Sequence, residues 1–154
     1  MDARLRCPFI MQAIGPSQSG KTSFVGKLIK YSAVLFEKQI DKLVWFSPHK
    51  HLPAELKTEQ LPFQLHVRQN LPQMGEEEEW SSDAEEGTEE LSHTVYVIDD
   101  FGEEAKNNRA ISSLYTRGSH HRGITVIQIL QNLFLPSRES RTRSLNVHYF
   151  VLLC

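Results

Sequence analysis

Residues 6–30 read RCPFIMQAIGPSQSGKTSFVGKLIK, and this stretch determines which fold the chain can adopt. The segment from Arg6 to Ile14 is largely apolar and stops at Gly15, which is typical of a buried strand in a parallel sheet. From Lys21 onward, apolar residues recur at helical spacing, with lysines on the opposite side. A strand, a glycine-containing loop and a helix are therefore predicted in direct succession.

The rest of the chain alternates in the same way. Further strands are predicted at Lys42–Ser47, Phe63–Val67, Thr94–Asp100, Gly123–Leu130 and Asn146–Leu153, with a helix from Glu103 to about Arg117. Strands that alternate with helices indicate an α/β fold with a doubly wound, mainly parallel sheet and flanking helices. At 154 residues the chain has the length of one domain, so we expect a single domain over residues 1–154.

The loop after the first strand fits the pattern G-x-x-x-x-G-K-[ST]. Its residues are Gly15, Pro16, Ser17, Gln18, Ser19, Gly20, Lys21 and Thr22. In such a loop the backbone N–H groups converge on phosphates, and the helix N-terminus adds positive potential. Lys21 is expected to reach the β- and γ-phosphates, and Thr22 to place its hydroxyl on Mg²⁺. The motif predicts a nucleotide site; the alternative is a glycine-rich turn that only caps the helix.

A second candidate element is Val95-Tyr96-Val97-Ile98-Asp99-Asp100. The apolar residues form a buried strand that brings Asp99 to its carboxyl end, where it is predicted to hold Mg²⁺ through water. Asp100 would then orient or deprotonate an attacking water, so two acids favour hydrolysis over binding alone. Alternatives remain: the pair is a simple acidic turn, or Glu103 and Glu104 supply the base rather than an acidic first helical turn.

Gln131 follows the next buried strand. Ligands gather beyond the carboxyl ends of parallel strands, so this amide is predicted to contact the γ-phosphate or its attacking water. A turn residue is the equal alternative. The predicted catalytic residues are thus Lys21, Asp99, Asp100 and Gln131, and the predicted metal ligands are Thr22 and Asp99.

The formal charge of −2 conceals regions of opposite sign. Residues 73–90 contain nine acids and no base, and we expect them to form a solvated or disordered surface insertion. From Ala105 onward the chain has a single acid, Glu139, against seven bases. These are Lys106, Arg109, Arg117, Arg122, Arg138, Arg141 and Arg143. Such a region suits a polyanion bound through counterion release, or contains an arginine that reaches a neighbouring subunit's γ-phosphate.

The sequence also bears on the protein's location and on its cysteines. No apolar run approaches the roughly 20 residues of a membrane span, and the N-terminus turns polar too early for a secretory signal, so a soluble intracellular protein is expected. Cys7 and Cys154 are predicted to be buried free thiols.

Four segments together resemble a known family. They are GPSQSGKTSFVGKLI, VYVIDDFG, LYTRGSHHRGITVIQILQNLF and RTRSLNVHYFVLL, covering most of the chain outside residues 50–93. They are similar to the viral-type DNA-packaging ATPases of the FtsK/HerA P-loop superfamily, found in poxviruses and Maverick/Polinton elements. The third segment carries most of the specificity, because the first two recur across P-loop proteins.

The resemblance implies a RecA-like fold and a homo-oligomeric ring that uses ATP and Mg²⁺ to pump double-stranded DNA. It implies the same roles for Lys21, Thr22, Asp99, Asp100 and Gln131. It also implies work in a viral factory, a virion, or the nucleus or cytoplasm of a host cell. The family continues past the segment that ends here at Cys154, so C-terminal elements are expected to be missing.

Other functions remain open. A guanine-specific switch would require an Asn-Lys-x-Asp element, which is absent, so adenine is the expected base. A small-molecule P-loop kinase fits the loop and the length but leaves the basic region unexplained. An inactive nucleotide-binding remnant of a packaging ATPase is the remaining alternative.

Deletion of residues 73–90 is expected to strengthen binding to duplex DNA, because it removes nine negative charges that repel phosphates. Fluorescence anisotropy with a labelled duplex at several salt concentrations measures this effect. Weaker binding after the deletion would contradict the placement of the acids away from a DNA-binding surface.

Overall fold

The computed structural model describes residues 2–58, 60–75, 92–118, 123–132 and 138–154. The strands are β1 (Ile10–Ile14), β2 (Lys42–Phe46), β3 (Gln64–Arg68), β4 (Thr94–Ile98), β5 (Ile124–Leu130) and β6 (Tyr149–Leu152). The helices are α1 (Lys21–Lys30), α2 (Ser32–Leu35), α3 (Glu103–Lys106), α4 (Arg109–Ser113) and α5 (Arg138–Ser144), with a 3₁₀ turn at Ala54–Leu56 and a π-helical turn at Leu114–Gly118.

The six strands form one sheet in the order β3-β2-β4-β5-β1-β6, and every pair is parallel. The prediction of an α/β fold with a parallel sheet and flanking helices is confirmed. One strand, β5, lies between β1 and β4. The carboxyl ends of these three strands therefore lie side by side at one edge of the sheet.

Both faces of the sheet are covered, which explains why β1 and β4 are buried along their whole length. On one face, Met11 and Ala13 of β1 pack with Val25 and Ile29 of α1. On the other face, Ile10 packs in a second cluster with side chains from the segment between α3 and the π-helical turn. Successive residues of a strand point to opposite faces, so a continuous apolar run is needed to fill both cores.

The helix predicted from Glu103 to about Arg117 is divided into α3, α4 and the π-helical turn. Asn108 interrupts it, because its side-chain oxygen accepts the Ile111 N–H at 2.9 Å and caps a new helix start. The apolar face predicted for this segment is confirmed. Its residues Ala110, Ile111, Leu114 and Tyr115 are all buried.

Three further predictions concern the two cysteines, the acidic insertion and membrane-spanning segments. Both cysteines are free, but Cys154 is exposed and Cys7 only partly buried, so their predicted burial is wrong. The reason is that Cys154 follows the edge strand β6, where alternate residues face outward. The greater part of the acidic insertion, residues 76–90, lies outside the described residues. In the described ranges no helix has the length and apolar character needed to cross a bilayer.

Arg143 is buried, which corrects its assignment to a basic binding surface. Its guanidinium donates to the carbonyl oxygens of Ala105 at 2.6 Å and Asn108 at 2.7 Å. Its Nε donates to Ser112 Oγ at 2.9 Å, and its charged carbon lies 6.0 Å from the centre of the Tyr115 ring. The side chain therefore joins α5 to α3 and α4 and is not available to DNA or to a neighbouring subunit.

Arg143→Ala is expected to lower the free energy of unfolding by about 3 kcal/mol, because buried carbonyl oxygens lose charged donors. Arg141→Ala is the matched control: this arginine lies on the same helix but is exposed, and its loss should cost under about 0.5 kcal/mol. Urea denaturation of both variants measures the difference. Equal losses would contradict an anchoring role for Arg143.

Candidate functional site

A cavity of about 650 Å³ lies at the carboxyl edge of the sheet. Its walls come from the loop after β1, the turn after β2, the turn after β4 and the end of β5. In open parallel α/β sheets this edge is where ligands bind. The fold therefore brings four separate chain segments to one pocket.

The loop after β1 leads directly into α1. Gln18 and Gly20 both have positive φ angles, 61° and 86°, and the Ser19 N–H donates to Pro16 O at 3.3 Å. No side chain caps the helix at Gly20, so the first-turn amides of α1 keep their capacity to bind an acceptor. Ser17 and Gln18 line the cavity above this turn. The loop has the geometry of an anion-binding helix N-terminus.

Gly15 is required by close packing rather than by an unusual φ angle. A Cβ atom there would come within 2.5 Å of Leu153 O and 2.7 Å of Ser19 Oγ. Ser19 Oγ is itself buried and has no hydrogen-bond partner among the described residues. A buried hydroxyl without a partner is costly, and a ligand oxygen in the loop would satisfy it.

Lys21 lies at the start of α1 and is 8% exposed. Its ammonium donates to Gly15 O at 2.7 Å and Pro16 O at 2.5 Å, which are carbonyls of its own loop. These two bonds hold the charge beside the loop, where it also faces the cavity. A flexible ammonium can exchange such carbonyl partners for phosphate oxygens, which are stronger acceptors.

Thr22 and Asp99 meet across strand β5. The Thr22 hydroxyl lies 3.2 Å and 3.4 Å from the two carboxylate oxygens of Asp99 and donates to them. A hydroxyl and a carboxylate side by side are hard oxygen ligands of the kind that Mg²⁺ prefers. No group of three or more His, Cys, Asp or Glu side chains suited to a metal occurs among the described residues. A cation held by Thr22 and Asp99 would therefore complete its coordination with phosphate oxygens and water.

The Asp99 carboxyl is only 5% exposed. Burial, with a smaller contribution from the neighbouring Asp100 charge, raises its pKa to about 6. The hydrogen bond from Thr22 and the charges of His51 and Lys21 lower the pKa, but their combined effect is smaller. An ionised Asp99 is thus an incompletely compensated buried charge, which a bound cation would stabilise.

Asp100 and Gln131 occupy the remaining predicted positions. Asp100 is exposed, lines the cavity and has a φ angle of 59°, a left-handed conformation that short polar residues tolerate. Gln131 also lines the cavity, and its side-chain nitrogen lies 3.4 Å from Ser17 Oγ of the loop. Lys21, Thr22, Asp99, Asp100 and Gln131 are therefore brought to a single pocket.

Sequence reasoning missed a fourth wall of the pocket. Ser47, His49 and His51 line it from the turn after β2. The signal was present, because these residues follow a predicted buried strand in the same way as Asp99 and Gln131 do. Two histidines without a recognised motif gave no independent reason to choose them.

None of the described basic residues from Ala105 onward lines the cavity. Arg109, Arg117 and Arg141 are exposed, whereas Lys106 pairs with Glu103 at 3.2 Å. Among the described side chains, Lys21 is the only lysine or arginine that lines the cavity. Arg122 and the side chain of Arg138 lie outside the described part of the chain.

Comparison of the chain with protein-family models, with curated proteins and with solved structures found no match.

Asp99→Asn is expected to stabilise the protein at high pH when nucleotide and divalent metal are absent. The folded-state pKa of Asp99, about 6, lies above the unfolded value of about 3.9, so the stability that this group contributes is lost as pH rises between them. Asparagine keeps the acceptor for Thr22 without the charge. The free energy of unfolding should rise by about 2 kcal/mol at pH 8 and change little at pH 4.

Urea denaturation at both pH values measures this effect, and Asp100→Asn, at the exposed neighbouring position, is the control. A gain from Asp99→Asn that is equal at pH 4 and pH 8 would show that burial of the charge is not its cause.

Proposed function

We propose that this protein is a P-loop ATPase that binds ATP with Mg²⁺ and hydrolyses it. The observation that carries the proposal is the contact of Thr22 with Asp99 beside the loop that holds Lys21. A hydroxyl, a carboxylate and an ammonium are the groups required for a metal-bound triphosphate, and they come from two separate chain segments. A glycine-rich turn that only capped α1 would give no reason for this convergence.

In this proposal each residue of the site has one task. The amides at the start of α1 and the Lys21 ammonium bind the phosphates, and Thr22 and Asp99 hold the cation. Mg²⁺ would neutralise negative charge that develops on the phosphates. Asp100 orients or deprotonates the attacking water, and Gln131 contacts the γ-phosphate or that water from the end of β5.

The strand order supports a RecA-like arrangement as the finer fold assignment. Strand β5 separates the loop strand β1 from the acid strand β4, so that Gln131, which follows β5, enters the pocket beside Ser17 of the loop. A polar side chain in that position is placed to respond to the presence of the terminal phosphate. Adenine is proposed as the base because the sequence lacks a guanine-recognition element.

We further propose that the ATPase acts on double-stranded DNA as a translocase or packaging subunit within a homo-oligomeric ring. Support comes from the sequence resemblance and from the exposed Arg109, Arg117 and Arg141 outside the pocket. Positive charge on an exterior surface favours a polyanion without sequence readout. The burial of Arg143 reduces the number of bases that such a surface can use.

Lys21→Ala is expected to weaken Mg²⁺-dependent binding of ATP at least tenfold, because a charge-assisted bond to phosphate is lost. Lys27→Ala, an exposed position on the same helix, should bind as the wild type does. Asp100→Asn should retain ATP binding and lose turnover by about 100-fold or more. Equilibrium binding of a fluorescent ATP and measurement of released phosphate test these three variants.

The outcomes separate the proposed functions. ATP binding without turnover would indicate a binding remnant, and turnover that duplex DNA does not stimulate would contradict the translocase. A monomer both with and without ATP would contradict the ring.

A further inference from the structure

The turn after β2 is held rigidly at its start. Ser47 is buried, and its N–H donates to Arg68 O of β3 at 2.9 Å. The Ser47 carbonyl accepts the Lys50 N–H at 3.1 Å, and its hydroxyl accepts the His51 N–H at 3.2 Å. Lys50 adopts a left-handed conformation, with a φ angle of 50°, that closes the turn. One serine therefore fixes the backbone that presents His49 and His51.

The same segment is held at its far end by α1. Pro53 packs so closely on Gly26 that a Cβ atom at Gly26 would lie 2.7 Å from Pro53 Cγ. The Ser23 hydroxyl donates to Glu55 Oε1 at 3.3 Å, and Leu56 is buried in the core that α1 shares with the sheet. The segment is thus bound to the helix that begins at Lys21. Its position relative to the phosphate-binding loop is fixed.

Between these two anchors, His49 and His51 are exposed and line the cavity. Neither imidazole hydrogen-bonds any residue that the structure describes. His51 and Asp99 line the same cavity, and the charge of His51 is one of the influences that lower the pKa of Asp99. Lys21 and Thr22 line the same cavity.

An imidazole offers at least one N–H donor in either protonation state. No described residue accepts a hydrogen bond from the His51 ring, so its donor remains available to a ligand in the cavity that it lines. The cavity between His51 and the loop is where the phosphates of a bound nucleotide would lie. Lys21 at the start of α1 and His51 in the turn after β2 both line this cavity.

We propose that His51 binds the terminal phosphate of the nucleotide by donating an imidazole N–H to one of its oxygens, so that the site prefers ATP over ADP. This inference rests on the proposed function, because it requires a nucleoside triphosphate in the cavity. It adds a specificity-determining residue that lies outside both the glycine loop and the acid pair. Ser47, through its bond to the His51 backbone, is a positioning residue for this contact.

The test compares equilibrium binding of a non-hydrolysable ATP analogue and of ADP, both with Mg²⁺. His51→Ala should weaken binding of the ATP analogue about tenfold or more and change ADP binding by less than about twofold. His51→Gln retains an N–H donor and should recover part of the preference. His66→Ala is the matched control, because His66 lies on strand β3 and does not line the cavity.

The control and the wild type separate failure of this inference from failure of the proposed function. The proposed function is overturned if the wild type and the His66→Ala control do not bind the ATP analogue, or if Lys21→Ala does not weaken that binding. If both bind it and His51→Ala keeps the wild-type ratio of ATP to ADP affinity, only the role of His51 is overturned. Equal losses for the two nucleotides, a Gln variant no better than Ala, or an effect confined to His49→Ala would also overturn it.

Discussion

The parallel pairing of β1, β5 and β4 is the constraint on which the site depends. Ile14 of β1 pairs with Leu130, and Ile98 of β4 pairs with Gln128, so the three strands end almost level. Whatever follows each strand must enter the same pocket. This is how Thr22 and Asp99, 77 residues apart in the chain, come within 3.2 Å of each other.

The register also creates an electrostatic problem. Asp99 follows a strand that is buried on both faces, so its carboxylate is withdrawn from water and its pKa rises to about 6. A neutral hydroxyl such as that of Thr22 stabilises the ionised form, but it cannot cancel the charge. The ammonium of Lys21 is engaged by two loop carbonyls. A bound cation would stabilise the ionised Asp99 carboxylate. Phosphate oxygens would offer the Lys21 ammonium stronger acceptors than the two loop carbonyls.

The sequence predicted the fold class and three of the four walls of the pocket because those features depend on local patterns. A glycine loop between a buried strand and an amphipathic helix, and acids at the end of a second buried strand, are visible within a dozen residues. The role of Arg143 cannot be recognised from any such local pattern. Arg141 and Arg143 are identical in type and lie on one helix, and only the packing of α5 against α3 and α4 buries one and exposes the other.

His51 was missed for a related reason. Its distance from the glycine loop depends on the packing of Pro53 on Gly26, which joins parts of the chain that no sequence period connects. Asn108 is an intermediate case, since asparagine is a common helix cap, but the apolar face continued across it and favoured one long helix. Contacts between elements, rather than patterns within them, account for these errors.

The burial of Arg143 also changes how the basic region relates to the pocket. Through its bonds to Ala105 and Asn108, this arginine joins α5 to the segment that begins directly after the turn containing Asp99 and Gly102. Arg141, exposed on α5, is therefore part of the same packed unit as the turn that contains Asp99. Under the proposed function, a polyanion bound at Arg141 and a nucleotide bound at Asp99 would both contact this unit, so binding at one site has a physical route to the other that does not require a mobile linker.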